Sequence, residues 1–153
     1  MRRILLSLAA VGLMGCEKKD TPPAADSSAM MAPPAATMDL ASMAGTWNMQ
    51  VMPQDRDTVL LNYVITATGT TEGWTLTFPG RRDPVPFRIT HVAGDSMVSE
   101  AGPYESALRA GVQVTTKTVN RMEGAMLVGT TEARYSSGPD TVLMLRQRGS
   151  KAP

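Results

Sequence analysis

Few side chains in this chain can do chemistry, and their spacing narrows what that chemistry is. There is one histidine, His91, and one cysteine, Cys16. A histidine acting as general base needs a nucleophile or acid positioned beside it. No Gly-x-Ser-x-Gly elbow marks a serine for that role. A zinc site takes three or four nitrogen, sulfur or carboxylate ligands at characteristic spacings, and one His with one Cys does not supply them. Met30, Met31, Met38 and Met43 carry thioethers, the soft ligand type that holds Cu(I). They show no regular spacing and His91 lies far off in the chain, so they read as compositional. Glu100 and Glu105 flank Gly102-Pro103. Paired carboxylates can hydrolyse glycosides, but these two read as solvated loop acids. The expectation is a chain without catalytic residues, metal or cofactor.

Cys16 has a different chemistry, set by what precedes it. Arg2 and Arg3 form a positive n-region, and Ile4 to Leu13 is apolar apart from Ser7 and Gly12. Spanning a bilayer takes about 20 apolar residues, so this run is too short to cross and fits a secretory signal segment. Leu13-Met14-Gly15-Cys16 resembles the lipobox of bacterial lipoproteins. That resemblance implies cleavage after Gly15, acylation of the Cys16 sulfur, and a protein held on the envelope lipid bilayer. A buried CH₂ is worth about 0.8 kcal/mol, so more than one acyl chain gives stable anchoring. Glu17 occupies the position where Asp favours inner-membrane retention in enteric bacteria, which points to the outer membrane, facing the periplasm. With its only thiol acylated, the folded part contains no disulfide and rests on its own core.

Residues 16–44 then read as the lipidated cysteine and a tether. Glu17-Lys18-Lys19-Asp20 is charged, Pro22-Pro23 and Pro33-Pro34 stiffen an Ala-, Ser- and Met-rich stretch, and no aromatic residue occurs before Trp47. At ~3.1 Å per residue in polyproline geometry, residues 17–44 would reach about 85 Å, and nearer ~30 Å as a random coil. Asp39 to Ala44 is placed as a helical turn leading into the domain. The chain has 15 basic and 14 acidic side chains and no basic stripe, so nucleic acid is not an expected partner.

Residues 45–148 form one candidate domain, and 149–153 a tail. Its apolar period is two. Trp47, Met49 and Val51 alternate with polar neighbours, as do Trp74, Leu76 and Phe78. Val85, Phe87, Ile89 and His91 share one face of another such run, and further runs cover 59–67, 96–101, 112–121, 125–136 and 141–148. Turn residues separate them, among them Pro79-Gly80, Gly94-Asp95 and Glu123-Gly124. Eight short strands at close spacing predict an all-β fold, a small eight-stranded antiparallel up-and-down barrel; a two-sheet sandwich has the same period. The break at 102–111 is expected as a helical turn or lid at one mouth. Gly45-Thr46-Trp47 resembles the Gly-x-Trp start of the lipocalin and calycin barrels. In that group a late Arg packs over the Trp and closes the barrel base, a role the resemblance assigns to Arg146 or Arg148.

Two functions follow. In the first, a non-enzymatic binding module takes a small apolar ligand, with Trp47, Tyr63, Trp74 and Phe87 lining its pocket and Tyr104 and Arg109 at the entrance. Phe78 belongs to the same inward set. Apolar walls with a few orienting polar groups are what such sites need, although eight strands enclose just enough space to be packed solid or to hold one small ligand. In the second, a solid barrel docks as an accessory subunit on a larger envelope complex, whether respiratory, photosynthetic or outer-membrane, with the tether supplying reach and effective concentration.

Overall fold

The computed structural model describes residues 37–153; the signal segment, Cys16 and the tether up to residue 36 lie outside the described residues. The alternation of the sequence becomes eight strands: β1 (Gly45–Pro53), β2 (Leu61–Ala67), β3 (Trp74–Thr77), β4 (Val85–Ala93), β5 (Ser96–Glu105), β6 (Gln113–Glu123), β7 (Met126–Tyr135) and β8 (Val142–Lys151). Each pairs antiparallel with the next, and β8 returns to pair with β1, which closes the barrel. The sandwich alternative is thereby excluded. In register, Trp47 faces Ile65 and Met49 faces Tyr63 across β1–β2, while Val51 faces Gln147 across β1–β8. Two-residue hairpins join β4 to β5 and β6 to β7. Their first central residue must take positive φ, and Gly94 (56°) and Gly124 (61°) supply it.

One short helix, α1 (Leu40–Met43), precedes the barrel where the helical turn was expected. Asp39 caps it, its Oδ1 accepting from the Ala41 amide at 3.0 Å. Just ahead of it, the Met38 amide donates to the Gly94 carbonyl at 2.6 Å, tying the chain's entry to the β4–β5 turn. The helix covers the end of the barrel where β1 starts. There Met43, Met49, Ile65, Trp74, Met97 and Leu127 are fully buried, with Trp47 beside them. Burying each such side chain contributes about 1.5–3 kcal/mol, so this base supplies a large share of the core's stabilisation.

Two irregularities re-aim side chains. The β4–β5 register shifts between Ile89 and His91, and His91 is exposed. The face expected to be shared by His91 with Val85, Phe87 and Ile89 is broken by this bulge, a correction, because one extra residue moves the following side chain to the other face. The β5–β6 register shifts between Ala101 and Tyr104. Gly102 sits there at φ 111°, and a Cβ on it would lie 2.7 Å from the Val114 carbonyl oxygen. Residues 102–105 thus belong to β5, and residues 106–112 form a non-helical turn, which corrects the helical turn expected over this segment.

Candidate functional site

Inward side chains of the central layers enclose a cavity of about 70 Å³. Its two sides differ. Strands β1 to β4, with Phe78 just after β3, give an apolar and aromatic wall that includes Val51, Leu61, Tyr63, Ile65 and Phe87. Strands β5 to β8 give a wall that carries Ser99, Thr116, Thr118, Asn120, Thr131 and Gln147. Gln147 is the hub. Its Oε1 accepts from the Tyr63 hydroxyl at 2.7 Å and from the Thr131 hydroxyl at 3.3 Å. Its Nε2 donates to Asn120 Oδ1 at 2.6 Å. The Thr118 and Thr131 hydroxyls share a further bond of 2.9 Å. Among the described residues no buried side-chain nitrogen or oxygen lacks a partner. A buried group left unpaired would cost about 1–3 kcal/mol. Gly129 makes the network fit, since a Cβ there would overlap Asn120 Oδ1.

Burial pushes the Tyr63 phenol far above the ordinary tyrosine range, with a smaller contribution from nearby Tyr104. It therefore stays a neutral donor to Gln147. Tyr104 is also raised by burial, partly offset by its hydrogen bond with Thr116. Among the described residues no Asp, Glu, Lys, Arg or His lines the cavity.

The mouth lies at the opposite end from α1. Tyr104 stacks on Phe78 there, ring centroids 5.7 Å apart, and Phe78 in turn meets Tyr63 at 5.6 Å. Ala107 and Leu108, from the turn after β5, also line the cavity. Ser106 Oγ accepts from the Leu108 and Arg109 amides at 3.1 Å, and Glu105 Oε1 accepts from the Gly111 amide at 3.0 Å. Arg109 holds the turn from above: its guanidinium lies 4.0 Å from the centre of the Tyr135 ring and donates to the carbonyls of Pro139 and Asp140. Arg81 donates to the Glu105 carbonyl at 2.8 Å.

The chain matches no protein-family model, no curated protein and no solved structure. Its site is therefore read from its own residues.

Of the six residues expected around a pocket, Tyr63, Phe87 and Tyr104 line the cavity, and Arg109 sits at the mouth without lining it. Trp47 and Trp74 are buried but do not line it, a correction with a local cause. Each indole N–H is spent on backbone at the base, Trp47 on the Met43 carbonyl at 2.8 Å and Trp74 on that of Thr70 at 2.5 Å. A second correction concerns Arg146 and Arg148. The pleat of β8 sends Leu145, Gln147 and Gly149 inward and both arginines outward. Arg146 binds Asp57 and the carbonyls of Pro53 and Arg56, and Arg148 reaches Gln50. The residue paired with Trp47 is Lys151, whose Nζ donates to the Ser42 carbonyl at 3.0 Å. Glu100 engages Arg88 at 3.3 Å while Glu105 holds the mouth turn, so the two carboxylates do not work as a pair. No group of three or more His, Cys, Asp or Glu converges among the described residues. The polar wall escaped the sequence reading. Its signal was the inward stripe Thr116, Thr118, Asn120, masked by Thr115 on the opposite face of the same strand.

Proposed function

We propose that this protein is an envelope lipoprotein, anchored through acylated Cys16, whose lipocalin-like barrel binds a small ligand with an apolar body. The observation that carries this reading is the cavity itself: an aromatic wall from β1–β4, faced by hydroxyls and amides that would orient a guest. A barrel serving only as a solid module has no need of a buried network around an internal space. At about 70 Å³, the cavity has roughly half the volume of the ~150 Å³ engineered cavity that takes up benzene, so the guest is a compact molecule rather than a long acyl chain.

The accessory-subunit reading has less support on the described surface. Its observation is a small apolar patch, Val142 and Met144 on the outward face of β8 with Leu60 beside Met144, and a patch of a few such residues is ordinary on a monomer's surface. Native mass spectrometry of the chain taken from its own envelope fraction tests the choice. An added mass that is lost on denaturation supports the binding role. A bare protein mass, with reproducible crosslinks to one membrane complex, would replace it with the docking role. Intact mass of the chain with and without Cys16→Ser tests the anchor.

A further inference from the structure

We infer that the cavity takes a neutral ligand bearing one hydrogen-bond acceptor, such as a ketone or ester carbonyl, and rejects carboxylates and amines of the same shape. This rests on the binding role proposed above and names its ligand class. Two observations carry it. First, among the described residues no ionisable side chain other than tyrosine lines the space, and of its phenols Tyr63 is buried and Tyr104 partly buried. A charged guest would lose its hydration and meet no counter-charge, which costs far more than the apolar wall returns.

Second, the network has a direction. Tyr63 and Thr131 donate to Gln147 Oε1, and Gln147 Nε2 donates to Asn120 Oδ1. With Thr131 donating to Gln147, its bond to Thr118 runs the other way, Thr118 Oγ1 to Thr131 Oγ1. A primary amide has two N–H groups and two acceptor lone pairs. Both lone pairs of Gln147 are engaged by protein donors, whereas Nε2 has one N–H beyond the one given to Asn120. Asn120 accepts at Oδ1 and keeps its own amide hydrogens as donors. The Gln147 and Asn120 amides therefore offer N–H donors to a guest, for which an acceptor is the complement, while the Ser99 and Thr116 hydroxyls beside them can take either role. Opposite this polar wall, Phe78, Phe87 and Leu76 fit a short alkyl body.

The test uses three isosteric probes of five heavy atoms: butan-2-one, 2-methylbut-1-ene and propanoate. They are titrated at neutral pH into the full-length chain carrying Cys16→Ser, which prevents acylation, and followed by NMR at the side-chain amides of Asn120 and Gln147. Butan-2-one is expected to give a saturable shift at both amides, and propanoate none. Gln147→Leu is expected to weaken butan-2-one relative to 2-methylbut-1-ene by about three- to tenfold, the worth of one hydrogen bond. Val119→Thr, on the outward face of β6 and away from the cavity, serves as the folded control and should leave that ratio within about twofold. Propanoate binding as well as the ketone, or a ratio unmoved by Gln147→Leu in a folded variant, overturns the ligand class while the binding role stands. If Gln147→Leu does not fold, Asn120→Leu is measured in its place, with the same outcomes. Saturation by none of the three probes overturns the binding role, and the ligand class falls with it.

Discussion

The two ends of this barrel are closed by different physics. At the base, the seal is covalent chain continuity and close packing: α1 lies across the end, Met43, Trp74, Met97 and Leu127 are fully buried, and both indoles are hydrogen-bonded to backbone carbonyls. At the mouth, the seal is one turn. Leu108 is only partly buried against the core, and the turn is held by Ser106, Glu105 and the Arg109 guanidinium over Tyr135. Packing of the first kind is lost only with the fold, whereas a few local hydrogen bonds open at low cost. Stability is thus concentrated at one end, and access is left to the other.

The largest expected effect tests that asymmetry directly. Trp74→Ala removes the most completely buried large side chain and its edge-to-face contact with Phe87, 5.6 Å between centroids. It should cost about 3–5 kcal/mol in denaturant unfolding. Leu108→Ala should cost less than half of that, because Leu108 is only partly buried. Equal losses would mean that the mouth turn belongs to the cooperative core and the contrast between the ends is false. Gly149→Ala comes next. A Cβ there would run into Met49 Sδ and the Asn48 backbone on the neighbouring strand. Overpacking of this kind costs about 1–3 kcal/mol, so the midpoint should fall without loss of the barrel's circular dichroism.

The residues themselves show why the barrel was legible in the sequence and the site only in part. The period-two runs encode which side chains share a face, and turn residues encode where each strand ends, so eight strands follow from local information, whereas closure rests on the pairing of β8 with β1, which a sandwich of the same period would lack. The position of His91 escapes the alternation because a bulge shifts a face by one residue and leaves no mark in composition. The alternation places Trp47 and Trp74 inward but says nothing about height along the barrel axis, so it does not separate pocket from base. Height depends on strand stagger, which is a property of the whole sheet. Arg146 and Arg148 were assigned by resemblance, and parity on β8 decides against both, since they share the face opposite Leu145 and Gln147. Gln147 lies between two arginines, and nothing short of the register across β1–β8 marks it as the centre of a buried network.

Alkaline pH sharpens the comparison through Tyr63, which joins the apolar wall to the polar one. Its folded pKa is raised above 10.0, the unperturbed value, chiefly by burial. A raised pKa means the folded state holds its proton more tightly than the unfolded state. The resulting stability is fully present below pH 10 and is lost as pH rises above it, since the unfolded chain ionises first. Tyr104 shifts in the same direction. Urea midpoints should therefore hold steady from pH 7 to 9 and fall beyond about 10. Tyr63→Phe should lower the plateau by about 0.5–1.5 kcal/mol, the worth of its bond to Gln147, and should flatten the alkaline decline. A decline of unchanged slope in Tyr63→Phe would place the titration elsewhere.

The smallest effect on stability is expected at the mouth, from Arg109→Ala. Its guanidinium contact with Tyr135 is worth about 0.5–1 kcal/mol at such a partly exposed site, and its two carbonyl acceptors at Pro139 and Asp140 can turn to water. Global unfolding should therefore change by less than about 1 kcal/mol. Local opening should change more, because Arg109 ties the turn after β5 to the β7–β8 connection. Hydrogen exchange separates the two quantities. The Leu108 and Val112 amides, which donate to Ser106 Oγ and to the Arg109 carbonyl, should exchange several-fold faster in the variant, with base amides such as those of β1 unchanged. Faster exchange at both ends would mean that Arg109 supports the whole barrel, and the division between a stable base and an openable mouth would not hold.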